Sequence, residues 1–145
     1  MKVRIRRLEG SSDLPLPARA SADAAGYDIA SAEADFDLGA GERRAVATGI
    51  ALELPRGVEC QVRPRSGLAL RHGLTLPNAP GTIDPDYRGE VRVILWNAGA
   101  EPVRIHRGMR IAQLVFASFL APDVEEVDEL DESARGTGGF GSTGI

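Results

Sequence analysis

The chain is poor in the residues that mark secreted, membrane and nucleic-acid-binding proteins. Cys60 is its one cysteine, so no internal disulfide can form. The thiol lies in an alternating apolar-polar run with no histidine or other base placed beside it in a recognisable motif. It therefore reads as a small strand residue rather than a nucleophile. The longest apolar stretch, Ile111 to Ala121, is interrupted by Gln113 and Ser118. A membrane-spanning helix needs about 20 apolar residues in succession, so no membrane partner is expected. Met1 to Gly10 is charged where a signal peptide would be apolar. The net charge is −4, which offers no bulk attraction to nucleic acid. These absences describe a cytoplasmic protein. Lysine is scarce too: Lys2 stands against 16 arginines. Arginine is the better bidentate ligand for phosphate, so the placement of each one matters.

Turn residues are what the chain has in plenty, with 17 glycines and 9 prolines in 145 residues, a length that fits one domain. The pattern predicts short strands: an opening one around Val3, Ile5 and Leu8, then 25–31, Phe36 to Leu38, Arg43 to Thr48, Ile50 to Leu54, and Val58 to Arg63. They resume at Leu74 to Leu76, Val91 to Trp96, Val103 to Ile105 and Ile111 to Phe119. Gly39-Ala40-Gly41 predicts a hairpin between its flanking strands, and Val124 to Val127 one more edge strand. The single helix candidate is Ser66 to Gly73, with Ser66 as N-cap and Gly73 as stop. Many short strands and one short helix predict an all-β fold, a barrel or double-layer sheet. That body would span 1–134. Residues 135–145 are Gly-rich and read as a mobile C-terminal arm rather than a second domain.

Five segments carry candidate chemistry. The most informative is Gly81-Thr82-Ile83-Asp84-Pro85-Asp86-Tyr87-Arg88-Gly89, where two carboxylates and a ring sit between glycines ahead of an apolar strand. A turn there can hold a carboxylate at the end of a sheet and set a ring as the wall of a small pocket. Pro64-Arg65-Ser66-Gly67 puts a guanidinium and a hydroxyl at a helix start, which suits phosphate. Asp28 follows Gly26-Tyr27 and can hold a metal-bound water. Gln113, inside an apolar strand opened by Arg110, needs a polar partner. Arg135 to Gly144 mixes glycines, hydroxyls, an arginine and Phe140, and can fold over a phosphorylated ligand with the ring on a base. It lacks the Gly-Lys-Ser/Thr ending of a P-loop. His72 and His106 have no partners at ligand spacing and read as surface or capping residues.

In this order the five segments resemble the motifs of the trimeric dUTP pyrophosphatases (dUTPases), from roughly Leu16 to the C-terminus. The resemblance implies that family's distorted β-barrel or jelly-roll (β-clip), with hydrolysis of dUTP to dUMP and pyrophosphate using Mg²⁺. It implies Asp84 as general base for a water attacking the α-phosphorus, with Asp86 as turn structure. Tyr87 would lie against the deoxyribose and exclude a 2′-hydroxyl. Asn78 and the backbone of the Asn78-to-Tyr87 hairpin, including Gly81, Thr82 and Ile83, would read the uracil edge. Arg65, Ser66 and Gly67 would hold the triphosphate with Gln113 near the α-phosphate, and Asp28 would reach Mg²⁺ through water. Arg135, Ser142 and Thr143 would grip the γ-phosphate beside Gly141 while Phe140 covers the uracil. Arg92, at a position that varies in the family, is counted with the substrate-side residues. The family forms homotrimers whose sites draw on all three chains. A dCTP deaminase of the same fold and a non-catalytic nucleotide-binding module are the competing readings.

Overall fold

Alternation of apolar and polar residues builds most of the molecule. The computed structural model describes residues 1–139, and among these it contains eleven strands and one helix. In chain order the strands are β1 (Arg4–Arg7), β2 (Ala18–Arg19), β3 (Gly26–Ala30), β4 (Phe36–Leu38), β5 (Arg43–Glu53) and β6 (Val58–Arg63). Helix α1 (Ser66–His72) follows, then β7 (Leu74–Thr75), β8 (Gly81–Ile83), β9 (Glu90–Asn97), β10 (Val103–Ile105) and β11 (Arg110–Ser118). All pairings are antiparallel. One sheet runs β1-β5-β9-β7, a second β2-β3-β11-β6-β8, and β10 pairs with β4. The all-β expectation holds, with the sheets open rather than closed into a barrel. In β9 the period of two is clear: Val91, Val93, Leu95 and Asn97 are buried, while Arg92, Ile94 and Trp96 face out. Leu52, Val93 and Leu95 of one large sheet share a core with Ile29, Val62 and Leu114 of the other. Burying each such side chain contributes about 1.5–3 kcal/mol. No helix among the described residues is long and apolar enough to cross a membrane.

Four local expectations are corrected. Arg43–Glu53 is one strand, not two: Gly49 carries the chain through with φ 69° while the register against β9 shifts between Ala47 and Ala51. This is a bulge, and its freed N–H donates to Glu90 Oε1 at 2.9 Å. The Gly39–Gly41 turn forms, but its flanking strands do not pair with each other; β4 turns away to β10 and β5 to β9. Ser66 is not the N-cap. Arg65 holds that position with φ −95° and ψ 124°, and no side chain caps the helix. Gly73 does end it, left-handed at φ 67°, its N–H on Ala69 O. Finally, Val124 to Val127 forms no strand, because no edge receives it; Val124 is 97% exposed.

The segment from Asn78 to Tyr87 also differs from a hairpin paired on itself. A turn closed by Ala79 N–H on Leu76 O leads into β8, which pairs with β6, and a second turn donates Tyr87 N–H to Asp84 O at 3.2 Å. The sheet edge therefore delivers Asp84 and Tyr87 toward the start of β9.

Candidate active site

A single row across the five-stranded sheet organises one group of the expected residues. Gln113 of β11 pairs with Asp28 of β3 on one side and Arg63 of β6 on the other. Beyond Arg63 the chain enters Pro64, Arg65 and α1, so the first, second and fourth segments meet at one end of the sheet. They line a cavity of ≈ 440 Å³ with Asp28, Arg65, Ser66, Gly67, Arg71 and Gln113 in its wall.

Asp28 is its electrostatic centre. One carboxylate oxygen lies 3.0 Å from Arg65 Nε, the other 3.0 Å from Arg110 Nη1. Arg65 also donates to the backbone oxygen of Arg110 at 3.1 Å. The side chains of Asp28 and Arg65 are 20% and 27% exposed, so this pairing is shielded from solvent more than an ordinary surface ion pair. Arg110 is a residue the sequence reading noted only at the mouth of its strand. Its partner is 82 positions away, a pairing that only the fold reveals.

Gln113 finds the partner its half-buried strand position requires. Its Nε2 donates to Pro64 O at 3.0 Å, tying the fourth segment to the second. Gly26 makes room for this amide: a Cβ there would collide with Gln113 Oε1 and lie 3.2 Å from Cδ. Gly26 therefore has a spatial role that the sequence offered only as part of a turn.

The second group of expected residues lines a different cavity, of ≈ 290 Å³, that shares no residue with the first. Thr82, Ile83, Asp84 and Tyr87 meet Ala45, Arg92 and Ile94 of the four-stranded sheet there. Ile83 is buried and Thr82 exposed, as alternation on β8 requires. The Asp84 carboxylate is exposed and makes no hydrogen bond or ion pair among the described residues. It is thus available as a proton acceptor. Tyr87 donates its hydroxyl to Glu90 O at 3.0 Å, and its ring folds over Gly89, where a Cβ would stand 2.6 Å from Cζ. The ring is 46% exposed and presents a rigid wall. Arg92 bonds Ala45 O at 2.8 Å and lies within 3.7 Å of Glu33 and 3.6 Å of Glu90, so carboxylates of its own chain already compensate it.

Asn78 is exposed, its amide 3.1 Å from the point where a Cβ on Gly81 would sit. Arg135 reaches neither cavity and donates instead to Gly138 O at 2.7 Å in its own turn. Phe140, Gly141, Ser142 and Thr143 lie outside the described residues. Of the groups left aside, His106 Nδ1 is 2.7 Å from Asp35, a surface pair whose hydrogen bond holds the Asp35 carboxyl below its usual range. Cys60 is wholly buried, and burial pushes its thiol up to about 12. That agrees with a core residue and not a nucleophile.

No cluster of three or more His, Cys, Asp or Glu that could hold a metal occurs among the described residues. The described residues thus provide no protein cage for an ion. A lone carboxylate facing a phosphate-sized cleft fits a Mg²⁺ ion that arrives on phosphate oxygens and keeps its waters.

An open antiparallel β fold with a guanidinium-rich cleft at one sheet end and a free carboxylate beside a tyrosine ring at the other defines a class suited to phosphorylated ligands. Comparison gives the family. The dUTPase family model matches residues 12–144, and the chain belongs to the dUTPase family. It is 54% identical to the deoxyuridine 5'-triphosphate nucleotidohydrolase of Zymomonas mobilis subsp. mobilis, with 100% of this chain and 99% of that protein covered. It is 55% identical to the enzyme of the same name from Methylocella silvestris, with 99% and 92% covered. Among solved structures, the dUTPase of Staphylococcus bacteriophage 80alpha with dUPNHPP aligns at a TM-score of 0.90, 28% identity and 99% coverage of each chain. A mutant dUTPase from phage phi11 of S. aureus, described with a structural Mg(II) ion, aligns at a TM-score of 0.82 and 23% identity, covering 91% of this chain and 100% of that one. At that identity it supports the fold alone.

Proposed function

We propose that this protein is a cytoplasmic enzyme that hydrolyses dUTP to dUMP and pyrophosphate with Mg²⁺, which keeps uracil out of DNA and supplies dUMP. One observation carries the reading: a relative named as a dUTP nucleotidohydrolase is 54% identical over the whole chain. The geometry supports it with two complementary half-sites. Asp84 accepts a proton from a water positioned in line with the α-phosphorus, and the water oxygen bonds to phosphorus as pyrophosphate leaves. Arg65, Ser66 and Gly67 hold the phosphate chain, and Gln113 sits by the α-phosphate. Asp28 would hold Mg²⁺ through a water, and the ion when bound would supply neutralisation of the phosphate charge.

Tyr87 selects the sugar by leaving no space for a 2′-hydroxyl. Asn78 with the backbone of Gly81, Thr82 and Ile83 reads the acceptor–donor–acceptor edge of uracil. Cytosine breaks that pattern and leaves polar groups unpaired. Residues 135–145 act as an arm over the bound nucleotide, with Arg135, Ser142 and Thr143 on the γ-phosphate and Phe140 on the base beside Gly141.

The two half-sites belong to different subunits of a homotrimer in this reading. Supporting it, Asp84 and Tyr87 line a cavity that shares no residue with the Arg65 cleft of the same chain. The outward residues Ile94 and Trp96 on β9 are each 37% exposed and give a neighbouring copy an apolar face to meet. Pyrophosphate release from dUTP with Mg²⁺ tests the function. Ammonia release from dCTP would favour a deaminase, and no turnover of either nucleotide would favour a binding module. A light-scattering mass tests the trimer.

A further inference from the structure

Three guanidiniums surround the Asp28 carboxylate and its cleft, and they are not alike. Arg65 and Arg110 are both committed to Asp28. Arg71 lines the same cavity but makes no hydrogen bond or ion pair among the described residues. Its charge is uncompensated beside a cleft of phosphate size. We propose that Arg71 is a further substrate-binding residue of this site, contacting the phosphates beyond the α-phosphate. The inference rests on the dUTPase reading above and goes beyond the residues assigned there.

Local geometry explains how a residue near the end of a short helix reaches the cleft. Side chains on a helix tilt toward its start, so a long side chain covers the surface about one turn earlier. Arg71 lies four residues after Gly67 in α1. Because Gly67 has no side chain, the guanidinium folds back across it; a Cβ at Gly67 would stand 3.1 Å from Arg71 Nη2. The same glycine that lets backbone approach the phosphates thus opens the path for Arg71. Its position in the last turn would also suit a charge that stabilises the end of the helix. Nothing in its contacts expresses that role: it bonds none of the last carbonyls, and the Gly73 N–H caps the helix end instead.

An unpartnered guanidinium costs little to recruit, because no ion pair must first be broken. Arg65 differs, since its charge is shared with Asp28 before any ligand arrives. Arg71 therefore supplies attraction specific to added phosphate charge, and its contribution grows from a monophosphate to a triphosphate.

Calorimetry on the full-length protein with Mg²⁺ tests this, using dUpNHpp, dUMP and inorganic tripolyphosphate against wild type, Arg71→Ala, Arg71→Gln and Arg71→Lys. The expected result is a loss of about tenfold for dUpNHpp in the Ala and Gln variants, with dUMP changed less than about twofold and Lys retaining most of the affinity. The Tm should stay at the wild-type value in all three, as expected for an exposed residue. An unchanged dUpNHpp affinity would overturn the inference, and so would an equal loss for dUMP and dUpNHpp. If the wild type released no pyrophosphate from dUTP, the proposed function would fall on its own. Tripolyphosphate would then decide: weaker binding by Arg71→Ala than by wild type supports the phosphate role, and no difference overturns it.

Discussion

The two half-sites of this chain are built in opposite ways. Around Asp28, most of the functional groups are cross-tied: two guanidiniums share the carboxylate, and Gln113 bonds the carbonyl of Pro64, while Arg71 is left unpartnered among the described residues. That cluster stands on a register row of three strands, and its Asp28 and Arg65 side chains are largely shielded from solvent. Around Asp84, the carboxylate and the Tyr87 ring are exposed and tied only by a turn and by one bond from Tyr87 to Glu90 O. The difference teaches where each half acquires its order. In the proposed reading the phosphate grip is held in place by its own chain before a ligand arrives. The hairpin side presents a free carboxylate and a bare ring, and in the proposed trimer the cleft of a neighbouring chain completes them.

Breaking the hairpin side should have the largest effect on turnover. Asp84→Asn should lower kcat by about 10²–10⁴-fold, the range for loss of a general base. Calorimetry should find dUpNHpp binding within a few-fold of wild type, since the grip is untouched. A near-normal kcat would remove Asp84 from its role. Tyr87→Ala should raise kcat/KM for UTP relative to dUTP by about 10–100-fold, because a ring wall is lost and not a phosphate contact. Unchanged sugar preference in competing-substrate assays would contradict the ring-wall account.

The grip side was partly legible in the sequence, for a physical reason. Short-range signals survive without a fold: alternation located β6 and β9, Gly73 ended the helix, and Gln113 in an apolar run demanded a partner. Long-range ones do not. The pairing of Arg110 with Asp28, the room Gly26 leaves for Gln113 and the engagement of Arg92 by Glu33 and Glu90 all depend on which strands become neighbours. The expected break between Arg43–Thr48 and Ile50–Leu54 fails for a related reason. A glycine between two alternating runs marks either a turn or a bulge, and only the β9 partner with the Glu90 bond decides between them. The roles of individual side chains were suggested by resemblance, and the geometry now explains how several of them are held.

Breaking the grip should be milder and of a different kind. Gly26→Ala should displace the Gln113 amide from Pro64 O and raise KM for dUTP about tenfold, with a smaller change in sugar preference than Tyr87→Ala. An unchanged KM would mean that the Gln113 amide needs no fixed position. The smallest effect should come from Cys60, which lies in the core. With its thiol pushed up to about 12 by burial, the folded protein should resist a thiol-specific reagent at pH 8 and react fully once unfolded. The unfolded thiol ionises near pH 8.5, below the folded one, so this group should contribute a loss of stability above that pH and none below it. Rapid labelling of the native protein would contradict the burial argument.

The central claim is that the grip of one chain completes the hairpin of another. Mixing Asp84→Asn protein with Arg65→Ala protein, under conditions that exchange subunits, tests it most directly. Each variant alone should be nearly inactive. After exchange, random association should restore about a quarter of the sites, those pairing an intact hairpin from one chain with an intact grip from another. Activity that stays at the level of the separate variants after demonstrated exchange would contradict the account and place both halves of the site within one chain.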